Sequence, residues 1–492
     1  MKPGRPFTAL VVMTMLTGCA SGPAFVPPTA PTGSAYSAIP LSARTDSALG
    51  ALGGSQRFVE GVNADAAWWR ELRSPKLDTL IAQALIASPS LDAAEATLRQ
   101  AQERYAAQSG NSHYPQVDAG FGAQRQRFNP SALGQDAEPR EFSLFSATVG
   151  VRYRLDLAGG NRRALEALAA RADYQQFQVE GARLTLSASI AGTAVRQAQL
   201  SALVDAMEAM LRIEDDQLAI TRERLRLGAA SDDEVLALQL QREQSRAAIP
   251  QQRTLQQQSR HLLATLVGRA PSDGSVPRFE MAEFTLPVTV PVTVPSELVR
   301  RRPDIRAAEA LMRAANAEYG SAVAKSYPQF NLSGTLGSQA LTAGALFGSG
   351  SALWSLVAQL TQPLFNPGLS ADKRGALAAF DAAAANYQNV VLGALRNVAD
   401  QLRALDSDAQ ALSAWASADA AARAALESVQ RQYSLGSASY LQVLTMQHQA
   451  QQTQAPLIAA RAQRLVDTIA LYQALGGDET PLTFGSITRR MK

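Results

Sequence analysis

Beyond its carboxylates, this chain carries few side chains able to do bond-making chemistry: the histidines His113, His261 and His448, and a single cysteine, Cys19. A metal centre or a nucleophile–base site needs several such groups brought together, and these lie far apart in the chain. The patterns G-x-x-x-x-G-K-[ST], G-x-S-x-G and H-E-x-x-H do not occur. A lone cysteine cannot close an internal disulfide. The chain therefore reads as a non-enzyme with no metal and no cofactor, in which Cys19 serves some purpose other than catalysis.

Cys19 stands at the end of an N-terminal address. Lys2 and Arg5 give a positive start, and Phe7 to Leu16 form an apolar stretch of about ten residues, too short to span a bilayer. Leu16-Thr17-Gly18-Cys19 then resembles the lipobox of bacterial lipoproteins. That resemblance implies a signal peptide over 1–18, a diacylglycerol on the Cys19 thiol and an N-acyl lipid on its new amino group. By resemblance to lipoprotein sorting, Ala20, being other than Asp, directs the chain to the outer membrane. Residues 19–60 are rich in Pro, Gly, Ser and Ala, the composition of a lipid-anchored extended tether.

The charges nearly cancel, with 46 Lys+Arg against 43 Asp+Glu, and no basic stripe stands out, so nucleic acid is not an expected partner. Alanine and glutamine are abundant, which favours long helices packed through small side chains.

What positions these groups is one unit written twice. Pro89-Ser-Leu-Asp-Ala-Ala-Glu returns as Pro303-Asp-Ile-Arg-Ala-Ala-Glu, and Tyr114-Pro115-Gln116 as Tyr327-Pro328-Gln329. Leu227-Gly228, followed by Glu234-Val235-Leu236, returns as Leu435-Gly436, followed by Gln442-Val443-Leu444. Three matches in one order at nearly one offset indicate a tandem duplication. The first repeat spans 61–275, the second 276–477, and 478–492 is a tail. Helices are predicted near 76–110, 160–227 and 230–267, and again near 296–325, 369–435 and 438–475. The stretch Asn161 to Leu227 has no proline and as a helix would reach roughly 100 Å. Its heptad-like Leu, Ala and Val spacing predicts coiled-coil packing. Pro250 and Pro456 are expected to kink or break the last helix of each repeat.

Four segments between the helices alternate apolar and polar residues with period two: 117–124, 146–155, 330–336 and 354–361. About ten residues is the length of a tilted strand crossing an outer membrane, and Tyr114, Phe142, Tyr327, Trp354 and Phe365 sit near the segment ends, as an aromatic girdle requires. The opposite faces carry Gln124, Arg152 and Arg154, as a pore lining would. Four strands cannot close around an aqueous hole, so a homo-oligomer is expected.

With these features in place, the sequence resembles the TolC-like outer-membrane efflux family, in its NodT-type lipoprotein branch. The residues that carry the likeness are Cys19-Ala20-Ser21-Gly22-Pro23 with Phe25-Val26-Pro27; Trp68-Trp69 with Leu77 and Ala84-Leu85; Pro295-Ser296-Glu297-Leu298; Arg301-Arg302-Pro303-Asp304-Ile305-Arg306-Ala307-Ala308-Glu309; Pro363-Leu364-Phe365; and Tyr433 with Gly436. The resemblance implies a mainly α fold with a membrane β-barrel. Each protomer of a homotrimer gives four strands to the barrel and its long coiled-coil helices to a periplasmic tunnel. It also implies an exit duct of a tripartite efflux system for drugs or toxic compounds, with a periplasmic adaptor and an inner-membrane pump as partners. The turns at Leu227-Gly228 and Leu435-Gly436 are then the periplasmic tips and adaptor docking points. The family often has acids just after the second-repeat glycine turn; here those positions hold Gln442 and Thr445. Asp232, Asp233 and Glu234 of the first repeat are the alternative gate, although acids at a helix start also simply favour the macrodipole. A competing reading, a lipid-anchored periplasmic coiled-coil scaffold or adaptor, explains the helices and the anchor but not the two strand pairs.

Overall fold

A computed structural model of the chain describes residues 22–477, apart from 30–34, 39, 41, 63, 131–133 and 135–137. Cys19, the signal segment 1–18 and the tail 478–492 lie outside the described residues. The first repeat begins before residue 61, taking in the end of the segment read as a tether: it contains β1 (Arg57–Glu60), α1 (Pro75–Ala87), α2 (Pro89–His113), β2 (Gln116–Phe128), β3 (Arg140–Leu155), α3 (Gly160–Arg226) and α4 (Asp232–Leu266). The second repeats that order with β4 (Thr289–Val292), α5 (Pro295–Arg301), α6 (Pro303–Ala324), β5 (Gln329–Ala340), β6 (Ala352–Thr361), α7 (Pro367–Ser434) and α8 (Tyr440–Leu475). The internal symmetry seen in the sequence is thus present element by element.

Local rules set the helix boundaries. Ser74 caps α1 by accepting the Leu77 N–H at 3.4 Å, and Pro75 occupies the first helical turn, where its missing N–H costs nothing. The single helices expected at 76–110 and 296–325 are each two. A proline disfavours helical geometry in the residue before it, and Ser88 and Arg302 are extended, with ψ of 121° and 126°. Pro250 and Pro456 do not break their helices: α4 and α8 run through them.

The chain forms two compact units. One comprises Thr97–Gln176, Ala307–Gln388 and the described part of Met1–Pro28. It holds a four-stranded antiparallel sheet ordered β2-β3-β5-β6, so the two hairpins meet through β3 and β5. The strands run 13, 16, 12 and 10 residues, longer than the alternation alone marked out. In this unit α3 and α6 are joined by Arg171–Glu318 at 2.6 Å and Arg313–Asp173 at 3.0 Å. The same two helices bury small side chains near these pairs, Ala167, Ala170, Ala310, Ala314 and Ala317, which let helices approach closely.

The other unit comprises Thr29–Ala96, Phe177–Arg306 and Asn389–Lys492 as far as described. Its core is larger and includes Trp68, Leu72, Leu77, Ile81, Ile190, Phe279, Leu298, Leu402, Leu405, Leu465 and Leu475. Trp68 stacks on Tyr472 with ring centroids 5.5 Å apart. The short parallel pair β1–β4 ties the start of one repeat to the start of the other.

The segment read as a tether is fastened here from Tyr36, whose hydroxyl donates to Thr293 O, onward. Arg464, fully buried on α8, donates to the carbonyl oxygens of Leu52 (3.0 Å) and Gly54 (3.1 Å), to Thr45 Oγ1 (3.2 Å) and to Gln56 Oε1 (3.4 Å). A buried guanidinium without partners costs several kcal/mol, so these acceptors are the reason the segment lies where it does. Composition identified its lack of a core of its own; it carried no sign of a partner more than 400 residues away.

Candidate functional site

The sheet divides its residues by face. Directly paired residues share a face, and the register couples Val117 to Val151, Val149 to Leu336, Leu336 to Trp354, and Phe330 to Leu360. With Phe121, Leu155, Leu332 and Leu356 these make one continuous apolar face. Among the described residues nothing covers its larger groups: Phe121 is 83% exposed and Trp354 78%. The other face carries Gln116, Asp118, Gln124, Arg152, Arg154, Asn331, Ser333, Thr335 and Gln359, interrupted by Leu144, Leu353 and Val357. Glycine spares this polar face bulk where strands crowd: a Cβ on Gly337 would sit 2.2 Å from the Ala147 carbonyl oxygen. Among the described residues no helix is long and apolar enough to cross a membrane. The apolar face is the surface suited to lipid, and its strand lengths match a bilayer core.

At the other candidate site, the two helix turns have the same geometry. Gly228 and Gly436 take left-handed φ values of 71° and 75°. In the first turn the Gly228 N–H donates to Leu225 O at 2.9 Å and the Ala229 N–H to Arg224 O at 2.8 Å. In the second, the Gly436 N–H donates to Tyr433 O at 3.0 Å and the Ser437 N–H to Gln432 O at 2.9 Å. This closes the last carbonyls of α3 and α7, and glycine at that φ avoids the strain a side chain would bring. Leu227 and Leu435 stand 67% and 82% exposed beside them.

Asp232, Asp233 and Glu234 form the first turn of α4, and the Glu234 N–H donates to Ser231 Oγ at 3.3 Å. Their charges complement the positive helix end. In the second repeat Gln442 completes a capping box: the Ser439 N–H donates to Gln442 Oε1 at 2.7 Å and the Gln442 N–H to Ser439 Oγ at 3.3 Å. The Thr445 hydroxyl donates to Leu441 O at 2.9 Å. The structure thus gives Gln442 a local partner.

Sequence reading singled out Tyr433 but passed over Arg224 and Tyr440, which join the two turns. Arg224 lies over the ring of Tyr440, and Tyr440 packs on Tyr433 with centroids 5.6 Å apart. Deeper in the pair, buried Glu214 accepts from Gln241 Nε2 (3.1 Å) and Ser245 Oγ (3.0 Å), and burial raises its carboxyl above the usual range. Gln217 of α3 meets Gln447 of α8. None of these follows a motif; only the doubled Leu-Gly turn signalled the place.

The described chain begins at Gly22. Arg163 Nη2 donates to Gly22 O (3.2 Å) and Pro23 O (3.0 Å), and Asn316 Nδ2 to Pro23 O (3.2 Å). The path is fixed three residues after Cys19, which itself lies outside the described residues.

Among the described residues no cluster of His, Cys, Asp or Glu could hold a metal.

Comparison with known proteins agrees with this geometry. The family model "Outer membrane efflux protein" matches residues 80–269 and again 294–477. The chain is 30% identical over 471 residues to the toluene efflux pump outer membrane protein TtgC of Pseudomonas putida, covering 95% of this chain and 94% of that one. It is 31% identical over 427 residues to the pyoverdine export outer membrane protein OpmQ of Pseudomonas putida, covering 84% and 88%. Among solved structures, the outer-membrane channel OprN superposes with a TM-score of 0.82 at 25% identity, covering 94% of this chain and 99% of that one.

Proposed function

The chain belongs to the outer membrane efflux protein family, and we propose that it works as the exit duct of a three-part export assembly. It is an outer-membrane efflux channel component, and it passes solutes without changing them. The observation that carries the finer reading is the sheet: four antiparallel strands, one continuous apolar face, and unpaired edges on β2 and β6.

Open strand edges call for partners. Copies of this chain supply them if the β2 edge of one pairs with the β6 edge of the next. Two copies would give a barrel of eight strands, filled by its own side chains, whereas three give twelve and leave a lumen. A homotrimer with the apolar face toward lipid and Arg152, Arg154 and Gln124 toward water satisfies both faces. A coiled-coil scaffold would leave the apolar face without a use.

The helix turns at Leu227-Gly228 and Leu435-Gly436 are the proposed periplasmic tips, where a periplasmic adaptor docks and couples the duct to an inner-membrane pump. Asp232, Asp233 and Glu234 form an anionic constriction there. Cys19 carries the diacylglycerol and N-acyl lipid, and the clasp on Gly22 and Pro23 holds that anchor against the protomer. The names of TtgC and OpmQ, one a toluene pump component and the other an exporter of pyoverdine, support a cargo of small organic molecules.

Deleting the gene should raise retention of ethidium by the producing cells, and supplying the wild-type chain should restore its loss. Retention unchanged by the deletion would contradict the reading. A photo-crosslinker at Leu227 or Leu435 should capture an adaptor, while one at the exposed Ile86 should not.

A further inference from the structure

The helix-proximal end of the sheet's polar face holds an open recess of about 660 Å³. Arg152 and Arg154 line it on β3, beside side-chain amides from Asn111, Asn161, Asn331 and Gln359. No carboxylate lines it. Arg152 is paired to Asp118 on the neighbouring strand. Arg154 has a different partner: its Nε donates to Asn331 Oδ1 at 3.3 Å, a neutral acceptor. The Arg154 charge is therefore met by no carboxylate there, and six side-chain amides and a second guanidinium in the lining can donate hydrogen bonds beside it.

We propose that this recess is a binding site for the anionic head of a small organic solute, a sulfonate or carboxylate, held by Arg154 and steadied by Arg152 and the amides. The planar guanidinium presents two parallel N–H groups to such a head. Asn331 is a suitable resting partner because it can be displaced without stranding a buried charge. The inference rests on the channel reading, which turns this face toward the lumen. In an assembly of three, three such recesses ring the inner mouth of the barrel and favour anionic cargo over cations at that level.

Asp118 sets the strength of the site by drawing off Arg152. This gives a directional test. The detergent-extracted oligomer is titrated with 8-hydroxypyrene-1,3,6-trisulfonate at low salt, reading fluorescence anisotropy. Arg154→Gln should weaken binding about tenfold, and Arg154→Lys should fall between it and wild type. Asp118→Asn should tighten binding several-fold by releasing Arg152. Arg396→Gln, which removes an exposed guanidinium of α7 away from the recess, should bind as wild type does. Each variant should keep the oligomer mass, which separates a lost site from a lost fold. Equal affinity across the Arg154 and Asp118 variants, in a wild-type protein that conducts ions across a planar bilayer, overturns the recess and leaves the channel reading standing. A wild-type protein that never conducts overturns the channel reading and this inference with it. Displacement of the dye by phosphatidylglycerol micelles but not by soluble naphthalene sulfonate would assign the recess to lipid headgroups and also overturn it.

Discussion

The guanidinium of Arg224, near the end of the first repeat's long helix, lies over the ring of Tyr440, at the start of the second repeat's last helix, with 5.3 Å between its central carbon and the ring centroid. The same guanidinium donates to Ala229 O at 3.1 Å, within the Leu227-Gly228 turn. One side chain thus joins both helix turns. Such a contact is worth about 1 kcal/mol, enough to bias a closed tip without fixing it. Arg224→Ala and Tyr440→Ala should each raise the resting conductance of the reconstituted channel several-fold, while the melting temperature moves by only a few degrees. Resting conductance equal to wild type in both variants would show that the turns do not hold the tip closed.

The acids beside that contact make a second prediction. Three copies of Asp232, Asp233 and Glu234 facing a narrow lumen favour cations. Asp232→Asn, Asp233→Asn and Glu234→Gln together should shift the reversal potential in a salt gradient toward zero. Gln442→Asp should shift it the other way, since an acid there still suits the helix start. Reversal potentials indifferent to both changes would place these acids in bulk solvent.

Much of this architecture could be read from the sequence. The duplicated Leu-Gly pairs marked both helix turns, because a helix that must stop and reverse needs glycine at a left-handed φ. Period-two alternation found all four strands and both of their faces, since a half-lipid, half-water sheet has little freedom in its pattern. The misses have two causes. The breaks at Ser88 and Arg302 follow from Pro89 and Pro303, which were visible but masked by the strong helical pattern on either side. The pairings of Arg464 with residues 45–56 and of Arg224 with Tyr440 join positions hundreds of residues apart, and a single sequence carries no record of such distances.

A buried carboxylate near Arg464 brings a pH dependence. Asp408 is driven up to about 8, first by burial, then by its hydrogen bond to Asp467 and by that neighbour's charge, with Arg464 opposing. An unfolded chain releases the same proton near pH ~4. Between these values the folded state holds a proton that the unfolded state lacks, so stability falls as pH rises from about 4 to about 8 and levels off above. Asp408→Asn should flatten that fall and melt above wild type at pH 9. A variant whose melting temperature tracks wild type from pH 5 to 9 would contradict the assignment.

If Cys19 carries lipid, Cys19→Ser should abolish labelling by a fatty-acid probe. The variant should still be found in the outer membrane, because the apolar face of the sheet supplies an independent affinity. Labelling that persists without the cysteine would place any acyl group elsewhere.

The account as a whole turns on whether the unpaired edges of β2 and β6 are closed by other copies of this chain. The direct measurement is the mass of the protein part of the detergent-extracted complex, by native mass spectrometry or by light scattering corrected for bound detergent. Closure into a twelve-stranded barrel predicts one species of three chains, stable in mild detergent and rich in both helix and strand by circular dichroism. A monodisperse single chain under the same conditions would leave the sheet open and contradict the channel.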